Sequence, residues 1–189
     1  MEIILIRHGQ SEANALKGDN KIYTGQWDCN LTELGYLQAK ELSKNPMLND
    51  VDVFISSNLK RAKETARILT SKEIVIDSRI NERSLGDFEG KRIIDIMNNP
   101  KYYKYFNDPK YISFRHSFKL SAPNGESYRD VCDRIKPFLK DLFNSNYKKV
   151  VIVAHYVVIQ CLLKELNGLS EEEALSTKIP NCTPIKIMI

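Results

Sequence analysis

The stretch EIILIRHGQSEAN, residues 2–14, decides the fold, because it opens with a run of aliphatic residues and ends on chemically active ones. A short apolar run of this kind predicts a buried β-strand. The run stops at Arg7, His8 and Gly9 rather than at ordinary turn residues. In open α/β sheets, ligands bind at the carboxyl ends of the strands. This strand therefore predicts a ligand site at its own end.

Four further apolar runs alternate with longer amphipathic segments. They are VDVFI (51–55), EIVI (73–76), VVIVA (150–154) and IKIMI (185–189). Strands that alternate with helices are typical of parallel sheets covered by helices. We therefore predict an α/β fold, a three-layer sandwich with a mostly parallel central sheet flanked by helices. The length of 189 residues is expected to form a single domain, 1–189.

Helical periodicity appears in four segments. Segment 58–69 has Ser57 or Asn58 as a candidate N-cap, and segment 157–168 ends on Gly168, a typical C-cap residue. A third helix should follow PNGES (123–127), with a kink or a break at Pro137. Segment 31–44 carries leucines near helical spacing, which predict its apolar face: Leu31, Leu34, Leu37 and Leu42.

The composition is that of an ordinary soluble globular protein, with 42% hydrophobic and 28% charged residues. The four cysteines have no metal-like spacing and are expected to be separate reduced thiols. The longest apolar stretch, residues 150–163, contains His155 and Gln160 and is too short to span a membrane. We therefore expect a cytoplasmic location, no secretory signal and no membrane partner.

Residues at the ends of the predicted strands would converge on one edge of the sheet. Arg7 and His8 follow the first strand, His155 follows VVIVA, and Arg61 lies early in the helix after VDVFI. Two arginines and two histidines in one cleft repel one another unless an anion is bound. Guanidinium groups match the oxygens of phosphate, so the sequence predicts a phosphate site.

The same residues carry a family resemblance. RHGQSEAN resembles the RHG signature of the histidine phosphatase superfamily, also called the phosphoglycerate mutase-like family. TGQWDCNLTELGYLQA (24–39), SSNLKRAKETA (56–66), INERSLGDFEGK (80–91), PNGES and VIVAH (151–155) resemble further family segments in the family's order. The resemblance implies the phosphoglycerate mutase-like fold and covers most of the chain except residues 98–120.

The resemblance also implies roles for particular residues. His8 would be the nucleophile that forms a phosphohistidine, while Arg7, Arg61 and His155 would hold the phosphoryl oxygens. Asn14, the last residue of the first motif, would donate another hydrogen bond. No metal ion and no cofactor are implied, because arginines neutralise the phosphate charge.

Glu82 would protonate the leaving alkoxide and then accept a proton from the attacking water. Asp87 and Glu89 lie close by in the sequence and are alternative proton donors. Tyr156 departs from the family, which usually has glycine after the second histidine. A tyrosine there could crowd the phosphate or redirect the turn into the next helix.

Residues 98–124, which we call the insertion segment, are irregular and rich in tyrosine, phenylalanine and basic residues. Between Lys101 and Lys119, four lysines and one arginine face Asp108 alone, a local charge of 5 − 1 = +4. The aromatic residues could form a stacking surface for single-stranded nucleic acid. We favour the alternative, in which they pack the segment onto the domain as a lid and its cations guide an anionic substrate.

The predicted function is therefore a metal-independent phosphomonoesterase that hydrolyses a small phosphorylated metabolite. The first alternative is a cofactor-dependent phosphoglycerate mutase, although mutases typically have tyrosine where this chain has Leu85. The second is a weakly active protein that binds a phosphorylated ligand or RNA. We expect no nucleic-acid partner and leave a homodimer open.

Overall fold

The computed structural model describes residues 1–189, and its centre is one five-stranded sheet. The strands are β1 (Glu2–Arg7), β2 (Val53–Ser56), β3 (Ile74–Ile76), β4 (Lys149–Ala154) and β5 (Ile185–Met188). Their order is β3-β2-β4-β1-β5, and β5 alone runs antiparallel, beside β1. All five predicted strands are present, and the mostly parallel α/β sheet is confirmed.

Eight α-helices accompany the sheet. They are α1 (Glu12–Ala15), α2 (Glu33–Leu42), α3 (Lys60–Leu69), α4 (Ile93–Met97), α5 (Lys104–Asn107), α6 (Tyr128–Phe143), α7 (Tyr156–Asn167) and α8 (Glu171–Ser176). Successive residues of a strand point to opposite faces, so β1 contributes to two cores. Ile3 and Leu5 pack with α6 and α7, whereas Ile4 and Ile6 pack with α2 and α3. This arrangement is the predicted three-layer sandwich.

The strand register brings the predicted site residues to one edge. In the parallel pair of β1 and β4, Arg7 lies opposite Ala154, so His8 and His155 both follow directly at the same edge. In the pair of β2 and β4, Ser56 lies opposite Val153, and Ser57 follows there too. The carboxyl ends of three neighbouring strands therefore form the floor of one site.

The predicted apolar face of α2 is partly wrong. Leu34 and Leu37 are 50% and 53% exposed, while Gly35, Ala39 and Leu42 are buried. A β-carbon at Gly35 would overlap the carbonyl oxygen of Gln10, so the helix approaches this backbone more closely than leucines would allow. Small residues therefore form the contact face.

Two predicted helix features also need correction. The N-cap of α3 is Leu59 rather than Ser57 or Asn58, although the Ser57 hydroxyl accepts the Leu59 N–H at 3.2 Å. Helix α6 runs through Pro137 without the predicted break. Pro137 and Asp133 are exposed, so water can hydrate the Asp133 carbonyl that lacks an N–H donor. Gly168 ends α7 with φ of 67°, as predicted.

The insertion segment folds into short helical turns around a third apolar cluster. Tyr102, Tyr105 and Phe114 are buried and surround Phe88 at ring-centroid distances of 4.9 to 5.7 Å. The Arg83 guanidinium ties the segment to the domain by donating to the carbonyls of Phe114 and Arg115. None of the helices has the length and hydrophobicity needed to cross a bilayer.

Candidate active site

A pocket of about 180 Å³ lies at the carboxyl edge of the sheet. Five of the six predicted site residues line it: Arg7, His8, Asn14, Arg61 and Glu82. They come from β1, α1, α3 and the loop after β3, so residues distant in sequence converge on one cavity. The sixth, His155, lies behind the pocket.

His8 is held in one orientation and one tautomer. Its Nδ1 lies 2.7 Å from the Gly9 carbonyl oxygen. Because a carbonyl only accepts, Nδ1 carries the proton and the neutral ring keeps a lone pair on Nε2. The Asn181 side-chain amide donates to the His8 carbonyl at 2.7 Å, and a β-carbon at Gly9 would overlap the backbone of Gly35. The backbone around His8 is therefore tightly constrained.

Burial keeps His8 uncharged. The residue is 4% exposed, and burial together with the Arg61 and Arg7 guanidinium groups holds the pKa of His8 well below its ordinary value. A neutral imidazole with a free lone pair is a nucleophile that needs no stronger base to activate it. The side chain thus meets the requirements of covalent catalysis.

The two predicted arginines are fixed by backbone carbonyls. Arg61 is 1% exposed and donates to the carbonyls of Gly25 at 2.8 Å and Trp27 at 3.0 Å. Arg7 donates to the Ile179 carbonyl at 2.8 Å, and its buried Nε has no partner. Neither arginine belongs to any of the ten ion pairs of the molecule. Four arginines and one carboxylate, that of Glu82, line the pocket, so it holds net positive charge that suits an anion.

Glu82 is the carboxylate of the pocket. Its Oε1 accepts the Arg83 N–H at 2.8 Å, and the Arg134 guanidinium donates to the carbonyls of Asn81 and Glu82. The carboxylates of Asp87 and Glu89 do not line the cavity. Of the three acids considered from the sequence, only Glu82 is placed to exchange a proton with a ligand in this pocket.

Asp87 and Glu89 are occupied elsewhere. Asp87 accepts from Asn124 at 2.9 Å and from the Tyr102 hydroxyl at 3.3 Å. Glu89 accepts the backbone N–H groups of Gln26 and Leu85 at 3.0 and 2.7 Å. Both carboxylates thereby stabilise the loops that form the wall beside the pocket.

Asn14 reaches the pocket from the first turn after β1. Its Oδ1 accepts the Ser11 N–H at 3.3 Å in a capping box, which orients the side chain. The amide nitrogen is then left to donate to a ligand.

The structure places His155 differently from the other five predicted residues. It is fully buried and does not line the cavity, although its ring centroid lies 5.1 Å from that of His8. Its Nε2 is 2.7 Å from the Ser57 hydroxyl oxygen, and its Nδ1 has no partner. Burial, Arg61, His8 and Arg7 hold the pKa of His155 well below its ordinary value.

Tyr156 does not crowd the cavity. It starts α7, and its ring lies beneath the Arg7 guanidinium, with 5.1 Å from Cζ to the ring centroid. Such a cation–π contact stabilises an arginine that has no carboxylate partner. The tyrosine that stands here in place of the family's usual glycine therefore helps to position the Arg7 guanidinium.

Sequence reasoning missed several residues of the site. Arg83, Arg115 and Tyr23 line the pocket, and Ser57 contacts His155. Arg115 could have been found from the basic character of the insertion segment. Arg83 and Ser57 lie within the motifs at residues 80–91 and 56–66, but their contacts in the site depend on the packing of distant loops.

Three comparisons extend these observations. The model of the histidine phosphatase superfamily (branch 1) matches residues 3–189. A 2,3-bisphosphoglycerate-dependent phosphoglycerate mutase from Bartonella tribocorum is 30% identical over 194 residues, covering 97% of this chain and 89% of that protein.

Solved structures of phosphatases are similar as well. The α-ribazole phosphatase from Shigella flexneri has a TM-score of 0.83 and 28% identity, covering 100% of this chain and 91% of that chain. The mycobacterial glucosyl-3-phosphoglycerate phosphatase has a TM-score of 0.81 and 25% identity, with coverage of 98% and 88%.

Proposed function

The chain is an enzyme of the histidine phosphatase superfamily, and we propose that it is a metal-independent phosphomonoesterase acting on a small phosphorylated metabolite. The observation that carries the proposal is the His8 ring, which presents an unprotonated Nε2 in a pocket with two arginines that lack carboxylate partners. This combination suits attack on a phosphoryl group better than simple retention of an anion.

In the first step, the Nε2 lone pair of His8 attacks phosphorus and the bond to the leaving oxygen breaks. Glu82 transfers its proton to that oxygen, so an alcohol departs and a phosphohistidine remains. Arg7 and Arg61 stabilise the negative charge on the phosphoryl oxygens. The Nδ1–H of His8 stays hydrogen-bonded to Gly9, which disperses the positive charge of the attacking ring.

In the second step, water attacks the phosphohistidine. Glu82, now a carboxylate, accepts a proton from this water, and the bond between phosphorus and Nε2 of His8 breaks. Inorganic phosphate leaves and His8 returns to its neutral form. The cycle is balanced with one water consumed, and no metal ion takes part in the proposed steps.

The rest of the pocket supports a small substrate with an anionic or partly apolar leaving group. Arg115 of the insertion segment lines the cavity, as do Ile22, Leu85 and Val157. We propose that the insertion segment acts as a lid whose cations guide the substrate. Its buried aromatic residues pack on one another, so they are not free to stack on nucleic-acid bases.

A phosphoglycerate mutase is the second candidate, favoured by the relative from Bartonella tribocorum. The apolar Leu85 in the pocket weighs against it, because mutases of this family typically carry tyrosine at that position. A mutase would interconvert phosphoglycerates after priming with a bisphosphate and would release little phosphate. Incubation of 3-phosphoglycerate with and without the primer separates the two activities.

The deciding experiment measures phosphate release from a panel of sugar phosphates, phosphoglycerates, phosphoserine and nucleotide-derived phosphates, with EDTA present throughout. We expect release from at least one substrate, its loss in His8→Ala, and unchanged activity in the matched control His116→Ala. Mass spectrometry at neutral pH should detect a phosphoryl adduct on His8. Activity retained in His8→Ala, or abolished by EDTA, would contradict the proposal.

A further inference from the structure

The hydrogen bonding of His155 is unusual for a side chain with no exposure. One ring nitrogen, Nε2, contacts the Ser57 hydroxyl, while Nδ1 is buried without any partner. Buried polar atoms are nearly always hydrogen-bonded, so each exception calls for a reason. The surrounding hydrogen bonds determine which nitrogen of His155 carries the proton.

The direction of each bond follows from its donor. The Asn58 backbone N–H donates to Asn81 Oδ1 at 2.9 Å, which identifies this atom as the amide oxygen. The Ser57 hydroxyl lies 2.9 Å from the same oxygen and must therefore donate to it. Its one proton is then used, so the hydroxyl oxygen accepts from the Leu59 N–H and from Nε2 of His155.

His155 therefore carries its proton on Nε2, whereas His8 carries its proton on Nδ1. Two rings that lie 5.1 Å apart are held in opposite tautomers. His8 keeps its lone pair on Nε2 and His155 keeps its lone pair on Nδ1. Because Nε2 of His155 is engaged, Nδ1 is the only nitrogen of that ring left without a partner.

The charges facing His155 are those of Arg7 on β1, Arg61 on α3 and Arg134 on α6, and the nearby His8 is neutral. In this environment His155 is uncharged as long as no anion is present. A neutral ring that presents a lone pair at Nδ1 repels an oxyanion. Only a protonated ring can donate a hydrogen bond to it from that atom.

We propose that Ser57 and Asn81 are positioning residues that fix the tautomer of His155, so that binding of a phosphate-like dianion requires a proton from solvent at Nδ1. This inference rests on the proposed function in assigning the anion to the substrate's phosphoryl group. The tautomer itself follows from hydrogen bonds alone. Asn81 directly precedes Glu82, so one loop positions both the acid and the second histidine.

Nitrogen-15 NMR of histidine-labelled protein tests the tautomers directly, because each protonation state has its own pattern of long-range couplings. The chain has three histidines, and His8→Gln and His116→Gln assign their signals. Without ligand, we expect His155 protonated on Nε2 only. Saturating sulfate, a dianion that does not titrate in the neutral range, should add a proton at Nδ1.

Asn81→Ala is the most informative variant. It frees the Ser57 hydroxyl to donate to Nε2, so the form of His155 protonated on Nδ1 should appear. Asn81→Asp keeps the acceptor oxygen and should keep the wild-type tautomer. Ser57→Ala should give a mixture of tautomers and Ser57→Thr should restore Nε2–H, while the matched control Ser56→Ala should leave the spectrum unchanged.

Activity provides a second readout. Above the lowered pKa of free His155 and below its pKa in the complex, the sulfate inhibition constant of the wild type should rise up to about tenfold per pH unit. The rise should be smaller in Asn81→Ala, whose neutral His155 can donate from Nδ1. Three results would overturn the inference. They are a ligand-free wild type with His155 protonated on Nδ1, no added proton on His155 when sulfate binds, and an Asn81→Ala spectrum that equals that of the wild type. If the tautomers are as expected but no phosphate is released from any substrate, only the proposed function is contradicted.

Discussion

Mild acid should destabilise this protein through its two buried histidines. His8 and His155 are 4% and 0% exposed, and burial beside arginines holds the pKa of each well below 6.5. In the unfolded chain both side chains titrate near pH 6.5. Lowering the pH through 6.5 therefore adds protons to the unfolded state but not to the folded state. The free energy of unfolding must fall as the pH falls.

The size of the effect follows from this difference. Between pH 6.5 and 5.5, protonating one histidine in the unfolded state alone lowers the free energy of unfolding by about 1 kcal/mol. His8 and His155 together give about 2 kcal/mol, a large part of the ~5–15 kcal/mol that stabilises a typical domain. The carboxylates Asp52 and Asp77 have lowered pKa values, so their contributions are lost only at lower pH.

Urea unfolding at pH 6.5 and 5.5 measures this difference, in buffers without phosphate or sulfate because bound oxyanions would stabilise the folded state. His8→Gln removes one of the two buried titrating groups and should reduce the drop by about 1 kcal/mol. His116→Gln alters the exposed third histidine, whose pKa is lowered by partial burial, Arg115 and Arg83 but not as far as those of His8 and His155, and should keep most of the drop. A wild-type drop below about 0.5 kcal/mol, or the same drop in His8→Gln, would refute the assignment of neutral buried histidines.

Three further predictions concern the pocket. Glu82→Gln should lower kcat about 100-fold or more on an alkyl phosphate but much less on p-nitrophenyl phosphate, whose leaving group needs no proton. Equal losses would argue against Glu82 as the acid. Tyr156→Leu removes the ring beneath Arg7, so kcat/KM for phosphate release should fall about two- to fivefold. Raised turnover would mean that the ring obstructs the substrate. Arg115→Gln removes a pocket cation without an ion-pair partner, so KM for an anionic substrate should rise at low salt with little change in kcat. Steady-state kinetics at two ionic strengths measures this change, and an unchanged KM would contradict a guiding role for Arg115.

The strands and the main site residues could be predicted because their signals are local. Apolar runs such as residues 3–6 are buried on both faces of a covered parallel sheet, and this requirement is written into consecutive residues. Arg7 and His8 follow such a run directly, so the topology alone brings them to the carboxyl edge. Arg61 and Glu82 needed the order of several motifs as well.

Features that depend on contacts between distant segments could not be predicted. Helix α2 buries Gly35 and leaves Leu34 exposed, because the backbone of Gln10 approaches too closely for larger side chains. The sequence does not predict that the Tyr156 ring lies beneath the Arg7 guanidinium. In both cases the partner lies far away in the chain.

The amino-acid sequence by itself determined the α/β sheet, the edge of the sheet at which the site residues lie and the types of those residues. The reason is that the pattern of apolar runs and the order of motifs are properties of the linear chain. Only the tertiary structure decided that Nε2 of His8 is unprotonated, that Glu82 rather than Asp87 lines the cavity, and that His155 lies behind it. The physical reason is that a proton's position depends on the partner each nitrogen or oxygen meets. Those partners are supplied by loops that only folding brings together.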